Sequence, residues 1–418
     1  MPDTPLIPVA KPWIGEAEAD AARRPILAGW VTQGPEVAAF ENEFAAYVGS
    51  RYACAVSNCT AALHLALRAV GVVSGDEVIT VSHSFIATAN SIAYCGAVPV
   101  FVDIDANTFN IDPNRIEAAI SPRTSAILCV HQMGMPCDME ALLKIAQVHG
   151  LPLIEDAACA IGSEVRYDGR WERIGRPHGQ IACFSFHPRK IVTTGDGGMI
   201  TTSDPELDRR VRLWRQHSMS ISDTVRHQAT RVTFEAYPEL GFNYRMTDIQ
   251  AAVGREQLKR LPEIIERRRD LAARYSRLLA ELRNIIPPPE PCFARTNWQS
   301  YCIRTERTQQ ACIMQHMLEH GIATRRAIMC SHREVAYGTP DSWRCGSPGC
   351  LKVNGSCEHL RNSEYAQDCG IILPLFHEMT YAEQDRVVEC LREAVDRPEN
   401  MPAALVCARS STDHLTSA

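Results

Sequence analysis

Between about residues 50 and 205, short β-branched runs alternate with stretches whose apolar positions recur at helical spacing. The pattern predicts strands at Glu77–Val81, Pro99–Val102, Ser125–Val130, Pro152–Glu155, Ile181–Ser185 and Gly198–Thr202. It predicts helices at Thr60–Val70, Ala87–Tyr94, Pro113–Ile120 and Asp138–His149, the last opening on an Asp in a capping position and stopping at Gly150. Strand and helix alternating at this rhythm imply a doubly wound, mostly parallel sheet. Such sheets bind ligands at the carboxyl ends of their strands.

After residue 245 the texture changes. Asp248 to Tyr275 is rich in Ala, Leu, Glu and Arg and reads as one or two helices, and the prolines of Pro287–Pro291 punctuate the chain beyond them. Residues from about 295 to 395 are expected to form a smaller α+β unit ending in a helix over Tyr381–Val395. The expected division is 1–250 for a large α/β domain, 251–396 for a small one, and 397–418 for a mobile tail without periodicity.

A chain of 418 residues is long enough for two domains. With 45% hydrophobic and 22% charged residues it has the balance of a folded protein, which excludes whole-chain disorder. A net charge of −6, from 43 Lys+Arg against 49 Asp+Glu, has the wrong sign for nucleic-acid binding. No apolar run approaches the ~20 residues needed to cross a bilayer. The proline-bearing start, without an apolar signal region, sets the expectation of a cytoplasmic protein. The seventeen cysteines suit neither a short nor a secreted disulfide scaffold and are read mostly as reduced thiols.

The candidate chemistry sits at the predicted strand ends. Glu155-Asp156 closes the fourth strand, and Ser185 through Lys190 covers the end of the next and its loop. A Gly-rich stretch, Thr193–Gly198, comes soon after. Earlier, Ser57-Asn58-Cys59-Thr60 leads into a helix, whose free N–H groups and dipole suit a phosphate. Each signal alone fits a cap or a surface residue. Their order on one sheet matches the needs of pyridoxal 5'-phosphate (PLP): a lysine for the Schiff base, a carboxylate for the pyridine nitrogen, an apolar ring cover, and hydroxyls for the phosphate. Lys190, Asp156, Phe85, and Thr60 with Ser185 supply these in turn.

Further motifs are Trp30–Pro35, Ser74–Thr80, Gly96–Asp105, Glu155–Ala158, Phe184–Lys190 and Gly241–Ala252. With them, from about Pro8 to Val395, the chain resembles the PLP-dependent sugar aminotransferases of the DegT/StrS type. The resemblance implies a fold-type I PLP-dependent transferase, with a mostly parallel seven-stranded sheet in the large domain and a smaller α+β C-terminal domain. It implies that Lys190 is the Schiff-base lysine and Asp156 the partner of the pyridine nitrogen. Phe85 stacks on the ring, and Cys59, Thr60 and Ser185 hold the phosphate. Asn243 would reach the phosphate in a neighbouring subunit's site, which implies a homodimer with shared active sites. Thr32, His187, Tyr244, Arg245 and Arg325 are the candidates for contacting substrate, with His187 read as orienting and not as a base.

The departures are specific. Cys159 stands where such enzymes carry His or Gln, Cys59 where they carry Gly, and Asp196 where they carry Glu. Ala327, Ile328 and Cys330 replace the first His, the Tyr and the Pro of a Thr-Arg-x-His-Tyr-x-Pro-x-His motif, while Thr324, Arg325 and His332 remain. Trp343–Cys357 reads as an insertion. Its Cys345, Cys350 and Cys357, with Cys330, His332 and His359 nearby, lack paired zinc-ligand spacing, so a loop of reduced thiols and no metal is expected. The expected reaction moves an amino group from L-glutamate or L-glutamine to a keto-sugar, most simply a nucleotide-linked one. The rivals are a keto-cyclitol aminotransferase and a non-catalytic PLP- or sugar-binding regulator. A PLP-dependent sugar dehydratase is disfavoured because Lys190 stands where such relatives carry His.

Overall fold

The computed structural model describes residues 5–396, apart from 222–225, 227–229, 233, 307–308, 340, 348, 351 and 354–355. The expected mobile tail lies outside the described residues. The strands are β1 (Tyr52–Val56), β2 (Glu77–Val81), β3 (Val98–Val102), β4 (Thr124–Val130), β5 (Leu153–Asp156), β6 (Glu164–Tyr167), β7 (Arg170–Arg173) and β8 (Ile181–Ser185). They continue as β9 (Gly198–Thr202), β10 (Ala294–Arg295), β11 (Tyr301–Arg304), β12 (Arg325–Arg326), β13 (Arg344–Cys345), β14 (Lys352–Val353), β15 (Ser356–Cys357) and β16 (Gly370–Leu373). The helices are α1 (Glu16–Ala28), α2 (Pro35–Val48), α3 (Cys59–Ala69), α4 (Ala87–Tyr94) and α5 (Met139–His149). After them come α6 (Pro205–Trp214), α7 (Asp248–Leu279), α8 (Gln310–Glu319), α9 (Arg361–Cys369) and α10 (Tyr381–Asp396).

The main sheet runs β1-β9-β8-β5-β4-β2-β3-β13, with β9 antiparallel to both neighbours and the remaining pairs parallel. Helices cover both faces, so successive strand residues are buried on opposite sides and the runs read as continuously apolar. Ile79, Ile127, Leu153 and Phe184 enter one core. Val78, Leu128, Ile154 and Cys183 enter the other, beneath α3.

Seven strands were expected, and an eighth is added. The inserted β13 pairs with β3 in parallel, Arg344 reaches Glu77 Oε2 at 2.7 Å, and Trp343 packs 5.4 Å from Phe101. A second difference concerns Pro113–Ile120, which forms two 3-10 turns, Pro113–Arg115 and Glu117–Ala119, in place of a helix. The segment is short, and Ser121 precedes Pro122, which disfavours helical geometry there. Helices α1, α2 and α6 and the β6–β7 hairpin were not legible in the alternation.

Helix α7 opens with a capping box between Thr247 and Gln250 and continues through Pro262. Its first half, with Ala251, Leu258 and Leu261, belongs to the large core. Its second half, with Leu271, Tyr275 and Leu279, packs with Tyr301, Ile313 and Leu391 in a separate core that also takes Ile7. A division of the chain at residues 250–251 therefore remains a proposal, since the helix beginning there feeds both cores.

Candidate active site

The carboxyl ends of β2, β4, β5 and β8 gather beside the start of α3. Asn58 caps that helix, its Oδ1 accepting from the Ala61 N–H at 2.8 Å. Ala62 N–H donates to Asn58 O, while the N–H groups of Cys59 and Thr60 have no acceptor among the described residues. Gly198 lets this helix end approach the sheet: a Cβ there would lie 2.6 Å from the Asn58 carbonyl carbon and 2.8 Å from Cys59 N. These two free donors make a cradle for an anion. Cys59 itself is buried, and burial pushes its thiol well above the ordinary value.

The two consecutive acids of β5 face opposite ways, as strand alternation requires. Glu155 Oε1 accepts from His178 N and Gly179 N at 2.9 and 2.8 Å, and its Oε2 lies 3.1 Å from His131 Nε2. Cys137 N–H donates to His131 Nδ1 at 3.0 Å, so the ring presents its Nε2–H to Glu155. Glu155 is thus consumed by structure. Asp156 Oδ2 accepts from Thr88 Oγ1 at 2.8 Å and Oδ1 from Ala158 N at 3.2 Å. Burial pushes the Asp156 carboxyl above its ordinary value, against the pull of Thr88, Ala158 N–H and the Lys190 charge.

Lys190 follows β8 in a tight turn, its N–H donating to His187 O at 2.8 Å. Its Nζ lies 3.0 Å from Cys159 Sγ. Burial pulls the Lys190 amine down, but Cys159, Cys59 and Asp156 together raise it. The Cys159 backbone is clamped by Asn297, whose Nδ2 donates to both Cys159 O and Ile161 O at 2.8 Å. Phe85, after the end of β2, is 60% exposed. Ser185 Oγ accepts from His187 N at 3.4 Å.

The DegT/DnrJ/EryC1/StrS aminotransferase family profile matches residues 12–392. The chain belongs to this family. It is 36% identical over 395 residues to the spore coat polysaccharide biosynthesis protein SpsC of Bacillus subtilis, covering 93% of this chain and 97% of SpsC. It also superposes on DesV from S. venezuelae with a TM-score of 0.81 at 33% identity, covering 94% of this chain and 100% of DesV. Spr1654 from Streptococcus pneumoniae, solved in PLP and PMP forms, gives a TM-score of 0.85 at 25% identity over 94% of this chain and 100% of Spr1654. The enzyme is a PLP-dependent aminotransferase, and PLP is its cofactor.

The residues present in this aminotransferase fit that cofactor. The α3 cradle has two unpaired donors for a phosphate, and a buried carboxylate and an amine share the cleft. Cys159, Cys59 and Asp156 lie close enough to raise the Lys190 amine, and Asp156 and Lys190 close enough to act on the Cys59 thiol. Other expected residues fall outside this group. Asn243 is exposed, in an isolated bridge with Gln216. Tyr244 stacks on Phe242 and its hydroxyl meets His64 Nδ1 at 3.2 Å, so it packs against α3. Arg245 bridges Val56, and Thr32 is exposed on the loop before α2. His187 Nδ1 accepts from Arg189 N at 3.2 Å, which makes it a turn-holding residue.

Sequence reasoning missed Thr88, Asn297 and the part played by Arg189. Arg189 faces Arg325: burial, then the Arg325 charge, lower its pKa. Neither guanidinium forms an ion pair among the described residues. Arg189 lies within the Phe184–Lys190 motif, but nothing local indicated that it would meet a residue of β12.

Proposed function

We propose that this aminotransferase carries an amino group from L-glutamate or L-glutamine to a keto-sugar, most simply a nucleotide-linked one in amino-sugar biosynthesis. Lys190 opposite Asp156, beside the α3 cradle, is the observation that carries the reading. Bound PLP supplies an electron sink. Lys190 Nζ attaches the cofactor and afterwards holds and returns the proton moved at the substrate carbon. Asp156, kept in place by Thr88 and the Ala158 N–H, stabilises positive charge on the ring nitrogen. The N–H groups of Cys59 and Thr60, with Ser185 Oγ, hold the phosphate, and Phe85 covers the ring. The unpaired Arg189 and Arg325 attract an anionic group of the substrate, a donor carboxylate or a sugar-linked phosphate. SpsC, named for polysaccharide biosynthesis, supports a sugar acceptor.

Two active sites shared across a homodimer complete the reading. In the segment that leads to Asn243, Phe234 and Leu240 expose 88% and 85% of their surface, apolar side chains that a second copy could cover. The keto-cyclitol reading rests on one observation. Ala327 and Cys330, at positions where the resemblance led us to expect His and Pro, are buried packing residues, so that acceptor wall differs.

The test is a visible spectrum of the PLP-loaded protein before and after each donor. We expect a band that bleaches with L-glutamate or L-glutamine and is absent in Lys190→Ala. A band unmoved by either donor would overturn the donor assignment. Turnover of a keto-cyclitol and not of nucleotide-linked keto-sugars would overturn the acceptor.

A further inference from the structure

The insertion after Tyr337 contributes β13 to the main sheet and carries the β14–β15 hairpin, and it draws three thiols together. The Sγ atoms of Cys345, Cys350 and Cys357 all lie within 4.8 Å of one another, with Cys350–Cys357 at 3.1 Å and Cys357–Cys345 at 3.6 Å. None of the three forms a disulfide. Sequence spacing alone pointed to a loop of separate thiols, and Cys330 and His332 do lie apart from the trio, Cys330 Sγ bonding Ser363 O. The hairpin supplies the convergence that the spacing hid.

The sulfurs also have donors aimed at them. Ser347 N–H points to Cys345 Sγ at 3.5 Å, and the His359 N–H donates to Cys357 Sγ. Each donor lies two residues beyond its cysteine. Both contacts put a sulfur in the accepting role. No carboxylate belongs to the trio, so the set is soft and excludes magnesium or calcium. A tetrahedral ion with sulfur at about 2.3 Å spaces its sulfurs about 3.8 Å apart, which small side-chain adjustments reach from here.

We propose that Cys345, Cys350 and Cys357 bind a zinc ion, their sulfurs supplying three of its four ligands. Binding releases the three thiol protons to solvent. The ion fastens the insertion to the sheet edge and, through it, one wall of the cofactor cleft. Cys357 N–H donates to Glu364 Oε1 at 2.7 Å, Glu364 meets His332 Nε2 at 3.2 Å, and His332 Nδ1 meets Ser82 Oγ at 2.6 Å. Ser82 lies just past the end of β2, three residues before Phe85. The site belongs to this chain's insertion and stands independently of the acceptor assignment.

The test measures metal in the full chain purified under reducing conditions without chelator. About one zinc per chain is expected. Cys350→Ser, a half-buried position that folding tolerates, should lose it, while Cys312→Ser should keep it. After chelation, added cobalt(II) should give the long-wavelength ligand-field bands of tetrahedral thiolate coordination, clear of the cofactor's absorbance. A protein without zinc that also gives no cobalt bands would overturn the proposal, as would full zinc content in Cys350→Ser. A Cys350–Cys357 disulfide in peptide maps of the same preparation would replace it with a redox pair.

Discussion

Lys190 Nζ lies 3.0 Å from Cys159 Sγ, so a thiol is the hydrogen-bond partner of the amine proposed to attach the cofactor. A thiol offers less to hydrogen-bond than an imidazole or an amide. Cofactor capture requires the neutral amine. The folded protein raises Lys190 above its ordinary value, with Cys159 the largest favourable cause, so capture of PLP by the apoenzyme should speed up as pH rises into the alkaline range. Cys159→Ala removes that cause, the amine titrates lower, and the profile should move to lower pH. Stopped-flow absorbance across pH checks this; a shift to higher pH would contradict it.

Asp156 is the group that ties the strand end to the chemistry. Asp156→Ala should reduce kcat by about 10²–10³-fold, the scale for losing one preorganised electrostatic partner. The cofactor should still bind through the α3 cradle. Steady-state kinetics together with cofactor titration separate these two effects.

Gly198 is required by contact and not by its backbone angles. A methyl group there meets backbone atoms of Asn58 and Cys59, which cannot move without shifting the start of α3. Gly198→Ala should cost about 1–3 kcal/mol of stability by overpacking. It should also weaken PLP binding more than the Cys59→Ser change, which leaves the helix in place. Equilibrium denaturation and cofactor titration of the two variants make the comparison.

The proposed shared-site dimer makes a mixing prediction. Lys190→Ala and a bulky Asn243 variant such as Asn243→Arg should each be inactive alone. If Asn243 serves the partner's site, a random mixture should recover up to about a quarter of wild-type activity, because a two-fold heterodimer holds one intact site. No recovery after subunit exchange would show that Asn243 acts within its own chain.

Glu155 predicts an acid limb in stability. Burial alone would raise its carboxyl, but the His131 hydrogen bond, the His178 and His131 charges and the Gly179 N–H bring it below the ordinary value. A depressed carboxyl stabilises the fold above its unfolded pKa, and that contribution is lost as pH falls through the lower folded value. Glu155→Gln should cost about 1.5–3 kcal/mol near neutral pH and flatten the acid limb, as read by urea midpoints along a pH series.

Much of this protein was legible in the order of its residues, because the relevant signals are local. The β-branched runs placed β2, β8 and β9 on their observed boundaries, and the Asp138 and Gly150 signals bounded α5. Asp156 ends β5 and Lys190 follows β8, so the order of these residues along the chain was enough to suggest PLP. What stayed hidden depends on where distant segments meet. Alternation states that Glu155 and Asp156 point apart, yet only the neighbours His131, His178 and Thr88 decide which acid is consumed by structure. Arg189 meets Arg325 because β12 joins the small sheet beside the cleft, and no local period encodes that encounter. The three insertion thiols have irregular spacing along the chain, and a hairpin with one edge strand brings them together. Secondary structure arises from side-chain period over a few residues. A site arises from long-range packing, which spacing in the sequence does not record.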